Sequence, residues 1–280
     1  MSSVLNKLPP VLERYELKYL VPRSYIEPIT DFISPYCSLD HYSDISENNF
    51  YVVNSLYFDT PGFEFLKQRM NGKDSRFNMR VRAYAEGDKA PYFMEIKHKT
   101  SGIIKKYRAT ATEAQWPNIL ADPDFQLDRT ESSAEQANKE LFLRLASSYA
   151  IEPKILTQYK RRAFFSVVDN YARVTMDIDM RYREEHRLTL RPNSDMINYD
   201  NENIYTTNQL NDEKACVVLE LKCNMGEVPT WMVDLITFFQ LKQTGFSKYM
   251  TSSLVSHIDN GVSYMEGDRI GVNDGLLRYA

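Results

Sequence analysis

Eight apolar stretches of this chain carry a polar or charged residue at every second position, and no other feature limits the fold as strongly. The clearest is "RFNMRVRAY" (76–84), where Arg80 and Arg82 are separated by one residue and interleaved with Met79, Val81 and Ala83. Successive side chains of a strand point to opposite faces, so both guanidinium groups share a face. The pattern recurs in "ERYELKYLV" (13–21), "YVVNSLYFD" (51–59), "YFMEIKHK" (92–99), "KKYRATA" (105–111), "KILTQYKRRAFFSV" (154–167), "ARVTMDIDMRYR" (172–183) and "ACVVLELKC" (215–223). Such alternation is that of antiparallel strands with one face packed and one face polar.

Helical periodicity falls between these runs. "RSYIEPITDFIS" and "TPGFEFLKQRM" predict short helices, the second opened by a Thr-Pro pair. "SSAEQANKELFLRLASSYA" (132–150) predicts a longer amphipathic one, and "PTWMVDLITFFQLKQ" with "SKYMTSSLVSHI" a C-terminal pair. The polar stretch 184–214 reads as a long hairpin connection. Strands with peripheral helices give an α+β class.

The charge on the polar faces is biased. They hold eleven bases (Arg14, Lys18, Arg80, Arg82, Lys97, Lys99, Lys106, Arg108, Arg161, Arg173 and Lys222) and five acids (Glu16, Glu95, Asp177, Asp179 and Glu220). The whole chain has 34 bases, 38 acids and a net charge of −4. A solvated face accounts for any one strand, but a face that inverts the balance of the whole protein across seven strands calls for another reason. A closed barrel would turn it inward, with the apolar residues outside under helices. Such an interior needs water and a polyanion, because unpaired buried ions cost several kcal/mol each. The interspersed carboxylates suit a hard divalent cation bridging phosphates.

Other classes are disfavoured. An acidic chain does not bind nucleic acid or anionic membranes through bulk charge. Cys37, Cys216 and Cys223 form no CxxC pair, and the four histidines form no HExxH motif. There is no P-loop signature, no run of membrane-spanning length and no apolar core of a signal peptide near the start, so a cytoplasmic location is expected.

Taken together, "RYELKY", "SLYFDT" (55–60), "RVRAY", "MEIKHK" (94–99), "QYKRRAF" (158–164), "RVTMDID" (173–179), "LELK" (219–222) and "FSKY" (246–249) resemble a VTC-type polyphosphate polymerase domain. That domain is a branch of the CYTH/triphosphate tunnel metalloenzyme superfamily. The resemblance spans roughly residues 13–257, with residues 1–12 as an N-terminal extension and 258–280 as a tail. It implies a closed eight-stranded antiparallel barrel that transfers the γ-phosphoryl of ATP to a growing polyphosphate chain with Mn²⁺ or Mg²⁺. The implied catalytic residues are Arg80, Arg82, Lys97, Arg161 and Lys248. Further phosphate contacts are implied at Arg14, Lys18, Lys106, Arg108, Tyr159, Arg173, Lys222 and Ser247, and metal ligands at Glu220, Glu16 and Glu95. ATP and inorganic polyphosphate are the implied partners, with no nucleic acid and no membrane insertion. Two positions depart from the pattern: Arg14 replaces the first carboxylate of the superfamily's Glu-x-Glu-x-Lys, and Gly245 precedes "FSK" where a lysine is usual. A tunnel-type triphosphatase or polyphosphatase, or a non-catalytic polyphosphate binder, stays open beside the polymerase. Three local readings also stay open. Tyr57 and Asp59 could serve only to cap and pack the next helix, Asp177 and Asp179 could pair with arginines, and Ser247 could be a helix cap.

Overall fold

The structure, a computed structural model, describes residues 14–84, 91–100, 103–199 and 215–259. Residues 1–12, 200–214 and 260–280 of the expected extension, connection and tail lie outside the described residues.

The alternating runs all become strands: β1 (Arg14–Pro22), β3 (Tyr51–Asp59), β4 (Arg76–Ala83), β5 (Tyr92–Thr100), β6 (Ile103–Ala111), β7 (Glu152–Ser166), β8 (Ala172–Glu184) and β10 (Ala215–Asn224). They form one antiparallel path in the order β1-β10-β8-β7-β3-β4-β5-β6. Two short strands, β2 (Cys37–Leu39) on β7 and β9 (Ile197–Asn198) on β8, sit off it. The helices are α1 (Ile26–Ile33), α2 (His41–Asp44), α3 (Glu64–Met70), α4 (Asn118–Ala121), α5 (Ser133–Ser148), α6 (Thr230–Phe238) and α7 (Lys248–Asp259).

The convex face is the apolar one. Val174, Met176, Leu219 and Leu221 pack under Ile29 and Ile33 of α1 and Trp231, Met232 and Leu235 of α6. Met79, Val81, Met94, Ile96 and Ala109 pack under Phe142 of α5 and Ile119 of α4. Burying each such side chain contributes about 1.5–3 kcal/mol, which fixes the strand phase and turns the charged phase to the concave side.

The expected closure of the barrel is corrected. Among the described residues β1 and β6, the two ends of the path, share no backbone pairing, so the sheet is curled but open. Part of the free edge of β1 is taken instead by the segment before α7. Gln243 bridges Tyr19, and the Thr244 amide donates to the Lys18 carbonyl at 2.8 Å. This segment stands where a barrel would need a neighbouring strand, and it delivers Phe246, Ser247 and Lys248 to the concave side.

Nor is that side charged throughout. Leu20, Val53, Tyr57, Tyr159, Ala163 and Val218 form an apolar floor with Phe246 and Tyr249 of the α7 region and Leu66 of α3. Asp59 ties these pieces together. It is fully buried, accepts from the amides of Thr60, Phe65 and Leu66 at 2.7–2.9 Å, and accepts from the Tyr249 hydroxyl at 2.6 Å. Asp59 and Thr60 therefore cap α3, which begins at Glu64 rather than at the Thr-Pro pair. Phe63, with φ 57°, turns the chain between them. Asp59→Ala strands three amides and a phenol. We expect roughly 2 kcal/mol of lost stability, read as a lower denaturation midpoint. An unchanged midpoint would mean that water replaces the carboxylate there.

Candidate functional site

The charged part of the concave face is organised around carboxylates. Glu95 is the most crowded. Register sets it opposite Arg80 on β4 and Arg108 on β6. It accepts from Arg80 Nε at 2.8 Å, Arg82 Nη2 at 2.9 Å and Arg108 Nη2 at 2.7 Å, and Lys106 Nζ lies 2.7 Å away. Burial would raise the Glu95 carboxyl, but Arg82, Arg80, Lys106 and Arg108 hold it well below the ordinary carboxylate range. Burial also pushes the Lys106 ammonium down, against the pull of Glu95, and the three neighbouring guanidinium groups add to that.

A second group joins the sheet's end strands. Glu16 on β1 accepts from Lys18 at 2.6 Å and, across the unpaired gap, from Lys97 of β5 at 2.8 Å. Glu220 on β10 lies 2.7 Å from Lys222, without the alignment of a hydrogen bond. Glu16 and Glu220 are close enough to act on each other. For Glu16, burial and Glu220 push the carboxyl up, while Lys97, Lys222 and Lys18 win and lower it. Burial, with Lys18 and Lys222, pushes the Lys97 ammonium down to about 8 despite Glu16.

The third group is Asp177 of β8, fully buried. It forms a two-point pair with Arg161 (Nε 2.6 Å, Nη2 2.8 Å) and a 2.5 Å contact with Lys248 of α7. The Lys248 ammonium also sits 4.3 Å from the Tyr159 ring centroid. Burial would raise the Asp177 carboxyl, but Arg161 and Lys248 lower it to about 2. The sign follows from linkage. A carboxylate depressed in the folded state adds stability above its ordinary pKa of 3.8, and that stability is lost as pH falls toward 2. Asp177→Asn should be less stable at neutral pH and lose less between about pH 4 and 2, read from urea midpoints. Parallel pH profiles for both proteins would remove Asp177 from the acid limb.

These groups gather nine cations (Lys18, Arg80, Arg82, Lys97, Lys106, Arg108, Arg161, Lys222 and Lys248) around four carboxylates. The remaining expected residues lie as follows. Tyr159 is buried under Arg161 and Lys248. Arg173 pairs with Asp40 at 3.1 Å rather than with the three groups. The Arg14 guanidinium stacks 3.7 Å over the Tyr171 ring. The Ser247 hydroxyl accepts from the Met250 amide at 3.3 Å, as a helix cap does. Asp179, counted on the basic face from its spacing, has φ 51° at a register shift. It turns away from the three groups and pairs with Lys160 at 3.1 Å and with Arg23. The bulge inserts the extra residue that an alternation count cannot see.

Among the described residues no three His, Cys, Asp or Glu side chains converge as a metal cage. The metal candidates divide. Glu95 is saturated by cations and stands apart. Glu16 and Glu220 are brought together, and Glu220 Oε1, though 2.7 Å from the Lys222 ammonium, accepts no aligned hydrogen bond. Two adjacent carboxylates fit Mg²⁺ or Mn²⁺, which takes one or two carboxylates and completes its shell with water and substrate phosphates. One residue of the site that spacing alone did not single out is Tyr57. Its hydroxyl accepts from Arg80 at 3.0 Å, and its ring stacks on Tyr249 at 5.3 Å.

A curled antiparallel sheet whose concave face carries more cations than carboxylates, its guanidinium groups fixed on strands, defines a fold of the α+β class with the charge to suit an anion. The family model of the VTC domain matches residues 13–257, and the chain belongs to that family. No curated protein matches the sequence. Solved structures with a similar course of the chain include a candidate adenylyl cyclase from Hippeastrum described as having a dominant triphosphatase activity. It is 13% identical with a TM-score of 0.46, over 90% of this chain and 97% of that one. A protein from Pyrococcus horikoshii OT3 is 7% identical with a TM-score of 0.39, over 85% and 96%. The Mimivirus capping enzyme triphosphatase is 10% identical with a TM-score of 0.29, over 82% and 90%.

Proposed function

We propose that this protein is a polyphosphate polymerase that transfers the γ-phosphoryl group of ATP to the end of a polyphosphate chain on its basic concave face. The observation that carries the reading is the excess of strand-mounted cations over carboxylates on that face, in a chain of the VTC family. Phosphoryl transfer asks a protein mainly for positioning and charge neutralisation. Arginines on paired strands supply planar forks of fixed direction, and lysines supply point charges.

The roles follow from placement. Arg80, Arg82, Lys106 and Arg108 hold phosphate oxygens, with Glu95 keeping their tips converged when no anion is present. Arg161 is oriented by Asp177 and acts with Lys248 and Tyr159 on the phosphoryl group in transit. Lys18, Lys97 and Lys222 hold phosphates at the Glu16–Glu220 end, where these carboxylates would hold Mg²⁺ or Mn²⁺. A divalent cation bound there supplies neutralisation of phosphate charge. In the transfer a terminal oxygen of the acceptor chain bonds to the γ-phosphorus, the bond to the β,γ-bridging oxygen breaks, and ADP leaves. Among the described residues no helix is long and apolar enough to cross a membrane.

Incubation with ATP and Mn²⁺, reading chain length on a gel and free phosphate together, tests the proposal. Chain growth is the expected result. Phosphate release without growth would make the protein a hydrolase, and binding of polyphosphate with neither product would make it a binder. Tripolyphosphate should bind tightly at low salt and more weakly as salt rises, with a higher melting temperature when bound. A calorimetric titration with no response at millimolar tripolyphosphate would count against all three.

A further inference from the structure

Beside the Glu95 group lies an aromatic cluster that the phosphate chemistry does not use. Tyr42 of α2 stands 5.5 Å from Tyr51 and 5.0 Å from Tyr84, ring centroid to centroid, and Tyr84 stands 5.2 Å from Phe93. His41 adds an edge contact to Tyr42 at 5.7 Å. The cluster adjoins the cationic face directly. The Arg82 guanidinium lies 4.7 Å from the Tyr84 centroid and that of Arg108 lies 4.8 Å from Phe93, and both arginines bond Glu95. Tyr51 is the cross-strand partner of Arg161, and Phe93 that of Arg82, so these rings share the concave phase.

Packing of α2 on the sheet explains Tyr51, which is 7% exposed. It does not explain Tyr42, which keeps 38% of its surface in water although its ring leans, tilted, on the buried Tyr51 and the half-buried Tyr84. A polyphosphate chain gains nothing from aromatic faces. A nucleobase does, because every base has a π-face and stacks on Tyr or Phe without a matching hydrogen-bond array.

We propose that Tyr42, with Tyr84 and Phe93, is the base-stacking subsite for the nucleoside triphosphate donor, whose phosphates run from there onto Arg82 and Arg108. The inference rests on the polymerase reading only in taking a nucleoside triphosphate as the ligand. It adds where the base sits and how it is chosen: stacking is base-tolerant, so adenine and guanine nucleotides bind within a few-fold of each other.

The test compares two probes by titration calorimetry at one salt concentration: the β,γ-imido analogue of ATP, which has a base, and tripolyphosphate, which has none. Tyr42→Ala should weaken the analogue about tenfold and leave tripolyphosphate within about twofold. Tyr42→Leu keeps apolar bulk without a π-face. It should behave the same way, and it carries the measurement if the alanine variant is poorly folded. Equal loss for both probes would make Tyr42 a packing residue and overturn the proposal. An unchanged analogue affinity would do so too, as would a wild-type preference for one base over the other of a hundredfold. If wild type binds tripolyphosphate but the Tyr42 variants lose nothing, this subsite fails and the phosphate face stands. If wild type binds neither probe, both readings fail.

Discussion

Glu220→Gln should lower metal-dependent turnover of ATP by orders of magnitude and leave binding of tripolyphosphate in the absence of metal intact or tighter. The substitution removes one charge and almost no volume from β10. Glu220 lies close to Glu16, and its buried Oε1, 2.7 Å from the Lys222 ammonium, accepts no aligned hydrogen bond. Burial would raise its carboxyl, but Lys222 and Lys18 hold it well below the ordinary range, so it is ionised at any working pH. An ionised carboxylate beside a second one is suited to a divalent cation, and the amide is a far poorer ligand. In the proposed reaction a metal would matter most as charge builds on the phosphoryl group in transfer, so the loss belongs in kcat more than in ground-state affinity. Removing a negative charge from a net-basic face favours the anion. Equal turnover by wild type and Glu220→Gln would assign Glu220 to structure alone. Weakened metal-free binding would mean that Glu220 orients Lys18 and Lys222 for the anion instead.

Glu95→Gln should cost about 3–5 kcal/mol of stability, the penalty for leaving buried charges without their counter-ion. Glu95 is 2% exposed and holds two arginines, Arg82 and Arg80, at 4% and 24% side-chain exposure, besides the wetter Lys106 and Arg108. An amide offers one acceptor in place of two ionised oxygens and no charge. Arg82, buried with nowhere to turn, meets Arg80 and Arg108 unscreened. A polyanion then supplies what the carboxylate did. Saturating tripolyphosphate should therefore raise the melting temperature of Glu95→Gln by more than it raises that of wild type. The two proteins should thus differ most without ligand and least with it. A variant that melts with wild type and gains nothing extra from the anion would show that water screens this group. The two variants together separate the proposed roles, with Glu95 arranging cations and Glu220 holding one.

The sequence by itself determined the strands, their phase and the residues that share a face. The run "YVVNSLYFD" is β3 to the residue, and the bounds of the others shift by one or two. This was legible because period-two alternation is local: the same apolar residues that lock a strand onto its helices turn their neighbours to the other side. The excess of bases over acids on that side followed from counting. The cap at Asp59 was one of two readings the sequence left open, and the amides of Phe65 and Leu66 decide it.

What only the tertiary structure decided was partnership. Glu16, Glu95, Asp177 and Glu220 look alike in sequence, each an acid among bases on an alternating run. Register gives Glu95 four cations from neighbouring strands, while curvature brings Lys97 across the gap to Glu16 over a separation of 81 residues. The connection before α7 carries Lys248 to Asp177 over 71 residues, and it occupies part of an edge that closure of the barrel would need. The bulge at Asp179 reverses one side chain with no sign in the pattern, because a single left-handed residue costs too little to need a glycine. Helix α2, four residues long, has no periodicity to detect, so Tyr42 came into view only with the fold. Pairings between distant segments are set by the sum of the sheet's register and twist, and no short window of sequence holds that sum.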